Sequence, residues 1–562
     1  MTHTRSLPVA GLAACLALAT STPAQTPAFA PEAQAVARGP HETVWAWTTP
    51  VAGPDGQTRE ERHSFIQLQT GLNRWTGSQY EPAQVEVEIF PGGAVSQKTA
   101  HRVIFPPQTP GEIDLEAPDG RRLRTQVLGL ALVDTRTGES ALIAEPKECA
   151  GQVLGSDTVI YVDAFDGLKC DVRYTVSLAG VEQDILIREY FSPREWGFAD
   201  DPAVRVEVIT ESLEREDPQV TQRVWSAEAD PQQQAMALPE VVDQTLDFGA
   251  MTIGSGQAFS IGGGAAPAPV PVAKGWHRLP DNRRVLIESV DYPSLQPLMR
   301  ELPRAAAPGK TRTAKIRTAP GKAKGQFARA IPPAPAAKKS SHTMRLAQGP
   351  ITGPAAVLDY ISLASSFIDL PFYSTNTYYV SGPVYLYGTN NVVQGGTVIK
   401  FASMYSAAKL DVKGKLLFDT DLYRPAILTA CDDSSVGEQV IAGAPTGGQY
   451  ADPALRFDYL SSSQLAAVSN VIVRYAHTAF EFYSGRGHEA RHVQMVNCGT
   501  GVASAYATYA MRNALAASLG SAISASLGTT STGAWEHVTF NSVGGLDSYL
   551  TCTSFYTNCL LV

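Results

Sequence analysis

Hydrophobic positions recur along this chain with two different rhythms. Between residues 42 and 253, apolar and polar side chains alternate over short runs separated by turn residues. Val85-Glu86-Val87-Glu88-Ile89 is the plainest case, with a period of two that puts one face in a core and the other in water. Residues 112–116 and 123–132 flank Pro118-Asp119-Gly120, whose Asp-Gly pair accepts the positive φ of a tight hairpin turn. Further strands are expected at 65–68, 103–105, 141–144, 159–162, 172–176, 185–187 and 204–209. Closely spaced strands without intervening helices predict an antiparallel β-sandwich-like domain over residues 42–303. Within it, residues 262–271 read as a Gly/Ala/Pro linker, and 274–303 as an appendage with a strand at 284–290 and a short helix at 292–302.

The second rhythm starts after residue 351, where short strands are joined by Gly, Asn, Ser and Thr turns. Phe480, Val502, Ile523 and Leu546 each follow a small-residue turn and lie 22, 21 and 23 residues apart. Such a period marks a stacked unit that cannot bury its apolar face alone. Leucine-rich repeats share the period, but the Asn and Leu ladder they require is missing and no helix-forming stretch recurs. The pattern therefore predicts a right-handed parallel β-helix over residues 351–562, with earlier coils at 378–387, 395–401, 409–418 and 426–430 and an insertion at 432–453 bulging from one corner. Leu560-Leu561-Val562 reads as one more inward-facing strand with no polar cap after it, so the helix is expected to be truncated at its C-terminus.

Residues 304–350 separate the two rhythms and hold eleven Lys and Arg with no Asp or Glu. This basic Ala/Pro-rich linker cannot bury enough apolar surface to fold alone. The whole chain carries −9, so the rest of it carries −20. The arm could attract anionic polymers such as envelope phosphates or acidic polysaccharide, or serve as a spacer touching its own acidic neighbours. Its lysines lack interleaved aromatics, which argues for the spacer and against nucleic acid.

Tyr378-Tyr379-Val380-Ser381-Gly382-Pro383, followed by Gly396-Thr397-Val398-Ile399-Lys400, resembles the opening coils of secreted bacterial proteins with a pectin-lyase-like right-handed β-helix. Residues 161–187, with Asp163-Ala164-Phe165-Asp166-Gly167 and Asp171-Val172-Arg173-Tyr174, are similar to a β-rich module that precedes such helices and other bacterial surface repeats. The likeness extends over residues 60–562. It implies a fold, and it carries over no catalytic residue.

Composition and the first residues set the compartment. A hydrophobic fraction of 44% with 18% charged residues suits a chain with real cores. Arg5 and the apolar stretch 7–20 read as an export signal cleaved after Ala24, leaving a disordered segment over 25–41. Leu12-Ala13-Ala14-Cys15 spells a rival lipoprotein box that would place a lipid on Cys15. No later stretch is long and apolar enough for a transmembrane segment. The mature chain keeps Cys149, Cys170, Cys431, Cys498, Cys552 and Cys559, and the first two could close a disulfide loop or remain buried thiols.

Candidate chemistry is sparse. His488-Glu489-Ala490-Arg491-His492 matches H-E-x-x-H, but zinc binding needs a helix, where residues four apart share a face about 6 Å apart. A strand would hold the two histidines about 13 Å apart. Outward Arg474, His477 and Glu481, with Arg491 and Gln494 on the next rung, could supply a general base and a charge-neutralising cation. Asp432, Asp433 and Glu438 could offer oxygens to calcium, without the even spacing of a dedicated loop. Tyrosines between 373 and 387 could stack on sugar rings or fill the core. No catalytic, cofactor-binding or metal-binding residue is assigned from these, and no cofactor is expected. The sequence predicts a secreted or cell-surface structural or binding protein whose β-helix presents a surface to polysaccharide, cell-envelope glycan or a protein partner. The alternative is a carbohydrate-active enzyme, a polysaccharide lyase or glycoside hydrolase, using the groove of the helix.

Overall fold

The computed structural model describes residues 32–225, 241–254, 256–262, 267, 269–304, 314–318, 329–333, 343–349, 351, 353–363, 367–458, 465–525, 531–546 and 552–562. The export-signal region, Cys15 and the first residues after the expected cleavage point lie outside these. The described chain is almost wholly β, with helical turns at Pro193–Trp196, Tyr292–Leu295, Gln296–Met299 and Met404–Ser406.

Two antiparallel sheets form the first body. One contains Arg122–Asp134, Val204–Ser212 and Arg284–Asp291 as neighbours, the other Cys170–Val176, Gly180–Ile187 and Ala355–Leu363. Val270–Arg278 pairs with Arg284–Asp291 on one side and with Gly256–Ile261 on the other, so it joins the two sheets. Alternate residues such as Leu130, Val172, Ile185 and Val206 point into the core between them. The Asp-Gly turn is where the sequence puts it, with Gly120 at φ 84° and Ala117 and Arg121 closing the hairpin. The short helix begins at Asp291, whose carboxylate accepts from Ser294 N at 2.9 Å. The alternating run at 85–89 is a strand only from Glu88, because Val87 N donates to Ser156 O instead of to a ladder.

The second body is a parallel β-solenoid with three faces. From Thr377 the first face steps to Val398, Ile427, Ile472, Gln494, Leu515, Thr539 and Leu560, at intervals of 21, 29, 45, 22, 21, 24 and 21 residues. On the second face Phe480, Val502 and Ile523 stand in one column, and Ile523 N donates to Leu546 O, as the repeat predicts. One continuous core runs up the axis from Phe65 to Phe540.

Two corners of the later coils are made by residues in the left-handed region. Asn470, His492, Asn513, His537 and Asn558 follow one another at one corner, and Tyr475, Asn497, Ser518 and Ser542 at the other, all with φ between 50° and 63°. Short polar side chains, above all Asn, pay least for this conformation.

The bodies are interleaved along the chain. Residues 34–68 form antiparallel strands, and the last of them, Thr58–Leu68, pairs in parallel with Thr377–Val380 at the first coil. Trp45, Phe65 and Leu68 close that end of the solenoid core. Strand Ala355–Leu363, at the start of the expected helix, lies in the antiparallel sheet between Gly180–Ile187 and Gly256–Ile261.

Candidate functional site: a charged ladder on the second face

Three strands of the second face, Lys409–Val412, Leu455–Phe457 and the start of Thr478–Arg491, stack in register. Leu410, Leu455 and Phe480 form one inward column, and Val412, Phe457 and Phe482 another. Strand alternation then places Asp411, Arg456 and Glu481 in the outward column between them, with signs that alternate from coil to coil.

The Arg456 guanidinium is the hub. It lies 3.5 Å from Asp411, 3.6 Å from Asp458 and 3.3 Å from Glu481, and 4.6 Å over the ring of Tyr483. Lys413 bridges Asp458 at 2.6 Å and Asp411 at 3.1 Å. Burial works against the charge of Arg456, but Glu481, Asp411 and Asp458 outweigh it and hold its pKa above the ordinary value. Burial raises Glu481 despite Arg456 and Lys409, and burial lowers Lys409. With Lys409, the ladder has three cations against three carboxylates, and it neutralises itself. Its surroundings come from the antiparallel body, since the Tyr387 hydroxyl bonds Thr252 and Tyr385 lies within electrostatic range of Glu182.

The outward residues singled out in the sequence do not converge. Arg474 and Gln494 are on the first face, Glu481 on the second and Arg491 at the end of a third-face strand, while His477 sits just past the corner residue Tyr475. Each ionisable one has its own partner. Arg474 is 3.9 Å from Asp433, His477 Nδ1 is 3.0 Å from Asp452, and Arg491 is 2.8 Å from Glu489. Glu481 and Arg491 each join a larger cluster, Arg491 through Glu489 to Arg512 and Glu536, and the partners of Glu481, namely Asp411, Lys413, Arg456 and Asp458, were not readable as neighbours. The 45-residue step between the first-face strands of those coils hides the register that brings them together.

The H-E-x-x-H residues lie in a strand and its corner. His488 points into the core, stacked on Phe482 at 5.3 Å, with Nδ1 accepting from Ala466 N at 3.1 Å. His492 is exposed at φ 54°, and Glu489 pairs with Arg491 and Arg512. The acidic loop is held by its own donors. Asp433 accepts from Thr429 and Ser435 hydroxyls at 2.6 Å each, Asp432 from the Tyr450 hydroxyl at 2.8 Å, and Glu438 faces His63 at 3.1 Å. Beneath the loop the buried Lys400 ammonium donates to the carbonyls of Asp433 and Glu438. Among the described residues no group of His, Cys, Asp and Glu is arranged to hold a metal ion.

Cys149 and Cys170 are free thiols on strands that do not pair with each other: Cys149 pairs with Thr109 and Cys170 with Ile187. The tyrosines at 373–387 divide between roles, Tyr378 in the core, Tyr385 and Tyr387 on the second face and Tyr373 exposed. The described pieces of the basic segment lie on the antiparallel body. Ile316–Thr318 pairs with Ser140–Leu142, Arg317 meets Glu139 at 2.7 Å, and Arg329 meets the buried Glu207 at 3.0 Å. No helix among the described residues is long and apolar enough to cross a membrane. Comparison with protein-family models, with curated proteins and with solved structures returns no match for this chain.

Proposed function

We propose that this chain is an exported structural or binding protein, with no catalytic centre of its own, whose solenoid presents an extended face to glycan or to a protein partner. One observation carries the reading. The outward charges of neighbouring coils are spent on each other, in the Asp411–Arg456–Glu481 column and again where Arg512 bridges Glu489 and Glu536. A catalytic groove needs convergent groups left free for substrate, whereas a presenting scaffold needs coils locked in register. The raised carboxyl of Glu481 beside Arg456 favours the second reading, a polysaccharide lyase or glycoside hydrolase acting on this face.

A panel of acidic and neutral polysaccharides separates the two, with bound glycan and newly formed reducing or unsaturated ends read in the same wells. The expected result is binding without turnover. Product formation that disappears in Glu481→Gln would overturn the scaffold reading and make Glu481 the acid of a hydrolase or lyase.

A further inference from the structure

A cleft of about 690 Å³ lies where the strands closing the solenoid meet the antiparallel body. One wall carries Arg74, Trp75 and Tyr80, from the small hairpin Asn73–Trp75 and Tyr80–Pro82. The other carries His101 and Arg102, at the start of strand Arg102–Phe105, and Glu116, at the end of its neighbour Ile113–Glu116. We propose that this cleft is a binding site for an uncharged saccharide unit, with Trp75 and Tyr80 as its stacking platform.

Four features lead there. The Trp75 ring is 57% exposed, although an indole of that size normally seeks cover, and it meets Tyr80 at 5.0 Å with the planes tilted by 60°. Two such faces form a corner against which the C–H face of a pyranose packs. The rim is polar but charge-balanced: Arg74 lies 3.5 Å from Glu81, and Arg102 is 2.5 Å from Glu116. Paired in this way, the arginines offer no surplus charge to an anionic ligand, while their remaining N–H groups and the carboxylate lone pairs suit hydroxyls that both donate and accept. His101 in the wall is 1% exposed, and neither ring nitrogen has a hydrogen-bond partner. Burial keeps this imidazole neutral, with its pKa lowered to about 4, so His101 adds no charge to the cleft wall. The volume falls within the range of about 300–1,000 Å³ usual for small-ligand sites, which favour the seam between two bodies.

The site uses none of the solenoid faces, so it stands whether or not those faces bind anything. The test is a titration of the full mature chain with neutral oligosaccharides of glucose, xylose, mannose and N-acetylglucosamine, and with oligogalacturonate, followed by tryptophan fluorescence and calorimetry. At least one neutral series is expected to saturate at millimolar concentration or below. Trp75→Ala should weaken it by about tenfold or more, with an unchanged melting curve because Trp75 is mostly exposed. Tyr80→Ala should weaken it in the same direction. Silence from every neutral series overturns the proposal, as does tighter binding of oligogalacturonate that depends on Trp75. Glycan binding that survives Trp75→Ala also overturns it, and places the bound glycan elsewhere, as the presenting-face reading requires.

Discussion

The corner residues show how a single side chain sets the cost of a coil. Asn513 and His537 occupy successive positions of one corner with φ of 50° and 55°. Asn reaches this region readily because its short amide bonds to the local backbone, whereas His at the same φ is less favoured and a β-branched residue is strongly disfavoured. His537 is exposed, so its replacement changes the backbone preference with little change in packing. His537→Asn should therefore stabilise the protein by about 0.5–1 kcal/mol, and His537→Val should destabilise it by about 1–2 kcal/mol. Urea midpoints of the two variants check this, and equal midpoints would mean that the corner conformation is not held in solution. The free cysteines belong to this scale as well. Burial pushes Cys149 up to about 11 and both Cys431 and Cys498 up to about 12, which keeps these thiols protonated and unreactive near neutral pH.

At the scale of the coil, aromatic packing couples one rung to the next. Phe482 is fully buried, stacked between Phe457 at 5.6 Å and Tyr509 at 5.3 Å, and Tyr509 meets Trp535 edge-on at 6.1 Å. Removing the ring in Phe482→Ala should cost about 3–5 kcal/mol. A solenoid coil touches mainly its neighbours, so the loss should appear as faster hydrogen exchange in Leu455–Phe457, Thr478–Arg491 and Thr500–Leu519. Equal acceleration in Arg122–Asp134 and Val204–Ser212 would show instead that the two bodies unfold as one unit. This scale also separates what could be read in the sequence from what could not. Phe480, Val502, Ile523 and Leu546 were legible because their coils are short and nearly equal in length, so the inward position repeats at an almost constant interval. Arg456 was not, because residues inserted before it break the interval, and its place between Asp411 and Glu481 follows only from the register. The strands at 42–68 alternate like those of the antiparallel sheets. A period of two identifies a half-buried strand but not the sheet it joins, and here Phe65 pairs with Thr377 more than 300 residues away.

At the scale of the molecule, the antiparallel body is inserted between the strands that close the solenoid and the coils that follow, and it contains its own buried charges. Lys274 is fully buried 3.0 Å from Asp243 and stands opposite Glu288 across the ladder. Asp359 stands opposite Asp184, which pairs with Arg173 at 2.7 Å. Burial pushes Glu288 up to about 8, with Asp359, Asp243 and Asp184 adding to the rise and Lys274 opposing it. Burial likewise pushes Asp359 up to about 7, with Asp184 and Glu182 adding and Lys274 opposing. Both groups thus hold a proton in the folded chain at a pH where the unfolded chain, with ordinary carboxyl values, has released it. The folded state binds more protons, so stability falls as pH rises, by about 1.4 kcal/mol per pH unit for each group between its unfolded and folded pKa. The contribution is complete below about pH 4, where both states are protonated. It is lost through pH 7 for Asp359 and pH 8 for Glu288. Urea midpoints of the intact chain should therefore decline from pH 5 to pH 8 and level off above it. Glu288→Gln preserves the shape and cannot ionise, so it should flatten the decline and raise the midpoint at pH 9 above that of the unaltered chain. A midpoint that is constant from pH 5 to pH 9 would show that Glu288 and Asp359 are both ionised in the folded protein, and a variant that declines in parallel would show it of Glu288. The cluster around Lys274 would then have to rearrange or admit water to accommodate their charge.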